Sequence, residues 1–221
     1  MSLINLSDNN SIVHQFITEL RDIDIQADRF RFRRNLERLG EIFAYEISKH
    51  LPYLPLEVET SMGISDCKII QQHPVLATIM RAGIPLHQGM LNFFDQSDNA
   101  FVSAYRKQHK DGTFEVHVDY VSCPPLQDRP LILCDPMLAT GVSMTSALEG
   151  LLEYGQPSQL HIVTVIASTD GLEHLQRTVP NATIWAAAVD EELTARSYIV
   201  PGLGDAGDLA YGAKGHEEEE H

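Results

Sequence analysis

Four uninterrupted apolar runs constrain this chain most: PVLATIM (74–80), LILC (131–134), LHIVTVIA (160–167) and ATIWAAAV (182–189). Strands that are apolar at every position, rather than every second one, are strands covered on both faces. Helical spacing fills the gaps between them, with IPLHQGMLNFF after the first run, a segment to about Tyr154 after the second and LEHLQRTV after the third. Strand and helix alternating over roughly a hundred residues predict an α/β fold, a mostly parallel sheet flanked by helices. Ligands of such sheets bind beyond the carboxyl ends of the strands. Arg81, Asp135 and Asp190 all fall at such ends.

The remaining segments attach to that core. No repeat or Pro/Ser-rich linker divides the 221 residues, so residues 1–215 are expected to form one domain with its sheet core over about 70–190. The first fifty residues read as helical, over 8–50. Within 26–50, Phe30, Leu36, Leu39, Phe43 and Ile47 fall at three- and four-residue spacings, and Pro52 and Pro55 end the pattern. Arginines 29, 31, 33 and 34 read as a solvated or interface face. LEVETSMGI (56–64) alternates and predicts one half-buried strand of an antiparallel arm. AFVSAYR and FEVHVDYV, separated by Asp111-Gly112, predict a hairpin. The start MSL and the tail 216–221 read as flexible ends.

Charge and cysteine content narrow the function. The net charge is −15, and −11 with the four tail glutamates set aside. Such a field opposes a chain whose main task is to coat nucleic acid or anionic membrane. Cys67, Cys123 and Cys134 are too far apart for a CxxC pattern and fit a reducing cytoplasm. No secretory leader is visible at the start, and no run is long enough to span a bilayer.

The stretch LILCDPMLATGVS (131–143) places Asp135 just past a buried strand, with Thr140, Gly141 and Ser143 leading into a helix. A helix N-terminus offers free N–H groups and the positive end of its dipole to an anion, and a glycine lets the backbone close around it. Thr140 and Ser143 add hydroxyls, and Asp135 can accept from the vicinal hydroxyls of a ribose. The same residues would equally serve as an ordinary capped strand–turn–helix, and spacing alone does not choose. For a dinucleotide fold the GxGxxG of Gly202, Gly204 and Gly207 would need a strand before it, a helix opening on it and a further strand beyond, and only fourteen residues follow Gly207. No P-loop lysine is present.

DPMLATG (135–141) resembles the phosphoribosyl-pyrophosphate (PRPP) motif of the uracil phosphoribosyltransferases. MRAG (80–83) looks like that family's pyrophosphate loop, and YIVPGLGDAGD (198–208) is similar to its uracil-binding segment. The resemblance covers nearly the whole chain. It implies a type I phosphoribosyltransferase fold with an antiparallel arm and a small hood from the chain ends, and transfer of phosphoribose from PRPP to uracil, giving UMP and pyrophosphate. It places PRPP on Arg81, Arg106, Asp135, Pro136, Met137, Leu138, Ala139, Thr140, Gly141, Val142, Ser143 and Asp205. It places uracil on Ile199, Gly204, Asp205 and Ala206, within 196–212. Arg81, Asp135 and Asp205 would carry catalysis, and Mg²⁺ would ride on the pyrophosphate and water. A loop of bare backbone with fixed donor and acceptor order would reject cytosine.

No histidine stands at a motif as a general base; His73, His87, His109 and His117 read as surface or core residues. Cys134 reads as inert. GTP is a candidate effector, and a homodimer or higher oligomer is expected from the arm and the long helix. One position departs from the family, which commonly has glycine where Val142 stands. Two other readings compete: a pyrimidine-sensing RNA-binding regulator on the same fold, which would need a basic face, and a transferase for another base, which would need an aromatic or lysine-bearing pocket.

Overall fold

The computed structural model describes residues 2–108 and 114–213. In chain order they form β1 (Ser2–Asn5), a 3-10 turn (Leu6–Asp8), α1 (Val13–Arg21), α2 (Arg29–Ser48), β2 (Tyr53–Thr60), β3 (Gly63–Ile70), β4 (Val75–Met80), α3 (Ile84–Phe93), β5 (Asn99–Gln108), β6 (Phe114–Ser122) and β7 (Pro130–Cys134). The second half supplies β8 (Met137–Leu138), α4 (Val142–Leu152), β9 (Gln159–Ser168), α5 (Thr169–Thr178), β10 (Thr183–Asp190), β11 (Glu192–Leu193), β12 (Ile199–Val200) and α6 (Ala206–Tyr211).

The central sheet runs β1-β10-β9-β7-β4-β5-β6, with β8 added beside β9. Every pairing in it is parallel except β5 with β6, as the apolar runs require. Alternate residues of the inner strands feed two cores. Leu76, Ile132, Val163 and Trp185 meet α1, α2 and α3 on one face. Val75, Leu131, Ile162 and Ile184 meet α4 and α5 on the other. Each fully buried Leu, Ile or Val contributes about 1.5–3 kcal/mol. Both faces being dry explains why these strands never alternate.

Three local expectations change. The apolar stripe of α2 passes through Phe32, Leu36, Leu39, Phe43 and Ile47, while Phe30 is 71% exposed. Asp28 caps the helix by accepting from the Phe30 and Arg31 N–H groups, which fixes the phase and turns Phe30 outward. Residues 56–64 are not one half-buried strand. The chain reverses at Ser61-Met62, and β2 pairs antiparallel with β3 from Tyr53↔Ile70 to Thr60↔Gly63 in a ribbon exposed along nearly its whole length. Ser2 and Leu3 of the supposed flexible start MSL belong to the edge strand β1 (Ser2–Asn5), in register with Thr183–Ala186.

β5 and β6 form the expected hairpin, with a register shift at Ser103/Ala104. The Asp111-Gly112 turn, His109 and the tail 216–221 lie outside the described residues. Arg31 pairs with the buried Glu19, Arg34 with Glu37 and Glu41, and Arg33 reaches the Ala210 carbonyl, joining α2 to α6 at the hood. Among the described residues no helix is long and apolar enough to cross a membrane.

Candidate active site

The turn after β7 is held from below. Met137 and Leu138 pair with Ile166 and Ala167 of β9, and the Pro136 carbonyl accepts from the Val165 and Ile166 N–H groups at 3.0 Å each. The Ser168 hydroxyl donates to the Ala139 carbonyl and accepts from the Gly171 N–H at 2.9 Å. The segment Asp135–Gly141 is therefore a fixed shelf whose backbone is largely spoken for on its inner side.

Its outer side is a shallow, open concavity lined from Asp135 and Met137 through Gly141 to Ser143 and Met144. Gly141 is the N-terminal cap of α4, with φ +81° and ψ −13°, and no side chain caps that helix. The N–H groups of its first turn have no intrahelical partner, and there is no acidic residue there to satisfy or repel. A β-carbon at Gly141 would come within 2.7 Å of His174 Cδ2. His174, on α5, also lies 3.3 Å from the Thr145 hydroxyl, which donates to the Val142 carbonyl. Nothing in the spacing of LEHLQRTV marked His174, because α5 reaches the shelf only through the fold. Thr140, Val142 and Ser143 are half-buried at the mouth, as is Asp135, whose carboxylate lies 3.5 Å from the Met137 N–H. Cys134, one residue earlier, is fully buried, and burial pushes its thiol up to about 12.

Beside this shelf lies the loop after β4. Thr78 pairs with Cys134 across the sheet, so Arg81 and Asp135 emerge from adjacent strand ends. The Met80–Arg81 peptide bond is cis. Arg81 is half-buried; its guanidinium donates to the Asp208 carboxylate at 3.0 Å and to the Gly212 carbonyl at 3.3 Å. Arg106 lies in β5 opposite Val116, and its side chain falls outside the described residues.

The third loop comes from the C-terminal segment. β11 and β12 pair as a short ribbon, and the chain then passes through Gly202 and Gly204 into α6. Asp205 caps α6 by accepting from the Asp208 N–H at 3.0 Å, a role additional to the one its motif implied. Ile199 and Ala206 are buried, whereas Gly204 and Asp205 are exposed and φ at Gly204 is +99°. The helix α6 was not legible from its six residues.

The three loops share one sheet edge. Gly202 is bonded to Asp190 at the tip of β10, and Asp208 is bonded to Arg81 beyond the tip of β4. The strands between those two, β9 and β7, carry the Asp135–Ser143 shelf. The sequence-predicted residues Arg81, Asp135–Ser143 and Ile199–Ala206 therefore gather along a single edge. Of the histidines set aside, His87 is buried, and burial lowers its basicity; His73 and His117 are partly buried and lie away from these loops in sequence.

Comparison with known proteins identifies the family. The family model described as uracil phosphoribosyltransferase matches residues 7–213. The chain is 50% identical over 215 residues to a uracil phosphoribosyltransferase of Porphyromonas gingivalis, which covers 97% of this chain and 100% of the relative. The solved structure of the AQ2163 protein from Aquifex aeolicus superposes with a TM-score of 0.85 at 27% identity, over 95% of this chain and 98% of that one. A hypoxanthine phosphoribosyltransferase of Staphylococcus aureus, at 12% identity and a TM-score of 0.50 over 83% of each chain, shares the fold alone. With a match along nearly its full length and half its residues shared with a relative of that name, this chain belongs to the uracil phosphoribosyltransferase family.

Proposed function

We propose that the protein transfers the 5-phosphoribosyl group of PRPP to uracil, releasing pyrophosphate and UMP. The observation that carries this is the uncapped start of α4 over a shelf ending in Gly141, flanked by an arginine loop on one side and a bare glycine loop on the other. A phosphate monoester accepts from the Val142 and Ser143 N–H groups and the Thr140 and Ser143 hydroxyls. Asp135, at the inner end of the shelf, takes the ribose hydroxyls. Arg81 exchanges Asp208 for the diphosphate, where a planar fork of donors matches paired oxygens. Uracil then lies against the Ile199–Ala206 backbone, with Asp205 toward the sugar.

The hard step is loss of pyrophosphate from C1, which leaves positive charge on the ribose and negative charge on the leaving group. The residues present act by placement and charge: Arg81 on the departing diphosphate, Asp135 and Asp205 beside the cationic sugar. Among the described residues, the charged groups at this edge besides arginine are carboxylates, oxygen ligands that suit Mg²⁺ better than a soft metal. Asp135 and Asp205 are the ones that would stand by a diphosphate-bound ion. When bound, magnesium neutralises charge on the diphosphate.

The ribbon β2–β3 supports self-association. Leu54, Leu56, Val58 and Ile69 share one of its faces and are 37–47% exposed. An apolar strip of that kind on a projecting ribbon suits a second copy of the chain, and sedimentation of wild type against Leu56→Asp tests it.

The experiment for the activity is pyrophosphate release with and without uracil and Mg²⁺. Release that requires both supports the reading. Turnover without uracil, or uptake of hypoxanthine or cytosine in preference to it, contradicts it. Retention of an mRNA leader at physiological salt, without turnover, would favour a regulator.

A further inference from the structure

Arg21 closes α1, and its guanidinium meets Asp190 end-on, with Nη1 to Oδ2 at 2.8 Å and Nη2 to Oδ1 at 2.7 Å. The same Nη1 donates to the Gly202 carbonyl at 2.9 Å, and the Gly202 N–H donates to Asp190 Oδ2 at 2.9 Å. Both backbone polar groups of Gly202 are thus bonded to one ion pair. Asp190 is 7% exposed, so these bonds work largely out of water. Gly202 has φ +55°, and a β-carbon there would lie 2.1 Å from the Ile199 carbonyl oxygen. Gln26, with its amide nitrogen turned inward, donates to the Leu203 and Leu20 carbonyls at 2.9 Å each. The loop is therefore tied to α1 and to the segment that follows it at two successive residues, while Gly204 stays open on its other side.

Taking residues 199–206 as the base-binding loop, we propose that Arg21 and Asp190 are positioning residues for base recognition, holding the Gly202 peptide so that the main-chain groups of Ile199, Gly204 and Ala206 keep the order that reads a pyrimidine edge. Neither side chain touches the base. A buried ion pair adds little to stability relative to a well-packed apolar pair, and its established use is to specify one arrangement among several. Here the arrangement specified is that of the recognition backbone. Asp190 also stands at the strand end where a ligand contact would be sought. Its carboxylate is instead committed inward: burial alone would raise its pKa, but the hydrogen bonds from Arg21 and the Gly202 N–H outweigh that and hold it below the ordinary value.

Lysine retains the charge but cannot reach both carboxylate oxygens and the Gly202 carbonyl with one ammonium. Steady-state kinetics of wild type, Arg21→Lys and Asp190→Asn, each varied separately in uracil and in PRPP, test the proposal. The expected result is a KM for uracil raised by about tenfold or more in both variants, with KM for PRPP and kcat within about threefold. Arg21→Ala, assayed below its melting temperature, should regain affinity for uracil on addition of millimolar guanidinium. An unchanged KM for uracil, or equal rises in both KM values without rescue, would overturn the positioning role alone. A wild-type enzyme that does not use uracil would overturn the base-loop assignment as well.

Discussion

The guanidinium of Arg81 is held 3.0 Å from the carboxylate of Asp208, although 127 residues separate them in the chain. The ion pair joins the loop after β4 to the helix after the glycine loop, and both side chains are about a third exposed. Pyrophosphate must compete with Asp208 for that arginine. An ion pair this exposed contributes about 0.2–1 kcal/mol, so Asp208→Asn is expected to lower KM for PRPP by up to about fivefold. Initial-rate kinetics at saturating uracil check this. A rise of tenfold would show instead that Asp208 is what holds Arg81 in place.

Gly141 is required twice over, by φ +81° and by the His174 ring behind it. A side chain in the left-handed region costs about 1–2 kcal/mol before any clash is counted. Gly141→Ala is therefore expected to raise KM for PRPP by about tenfold or more while leaving KM for uracil within about threefold. A variant with wild-type affinity for PRPP would mean that the shelf does not hold the phosphate.

Val142 stands where the family commonly has glycine. As the first residue of α4 it is half-buried with an ordinary helical role, and its N–H still points out of the first turn. Val142→Gly should change KM for PRPP by less than about tenfold, because a β-branched residue restricts the turn without removing a donor. A thousandfold gain would show the natural shelf to be blocked.

Acid should be felt first at the only tryptophan. The Trp185 indole donates to His161 Nδ1 at 3.2 Å, and His161 is 4% exposed. Burial, with His50 nearby, lowers the His161 pKa from 6.5 to about 4. The unfolded chain then binds the proton more readily than the folded one. Stability from this group is full above about pH 6.5 and is lost as pH falls toward 4, by about 3 kcal/mol at most. Melting temperatures across that window, followed by Trp185 fluorescence, should fall in wild type and fall less in His161→Asn. A flat profile in wild type would contradict the assignment.

Legibility followed distance along the chain. The strands 75–80, 130–134, 159–168 and 183–190 were plain because each is apolar along its own length. The Asp135–Ser143 shelf was readable because its parts are contiguous. What escaped was set by partners far away. β1 is an edge strand only because β10 receives it, and Phe32 rather than Phe30 faces the core because Asp28 sets the phase of α2. The arm was expected, but its turn within 56–64 escaped because Ser61-Met62 carries no glycine signal of its own, the glycine coming one residue later. Arg21 lies 169 residues from Asp190, and no local pattern marks either as the other's partner. His174 reaches Gly141 the same way, through packing of α5 on the end of α4.

The most direct test is a crystal structure with UMP bound. In that complex the phosphate is expected on the Val142 and Ser143 N–H groups above Thr140–Gly141, the ribose hydroxyls against Asp135, and the pyrimidine edge facing the main chain of Ile199–Ala206. A nucleotide whose phosphate lies anywhere else, or whose base turns away from that glycine loop, would contradict that placement.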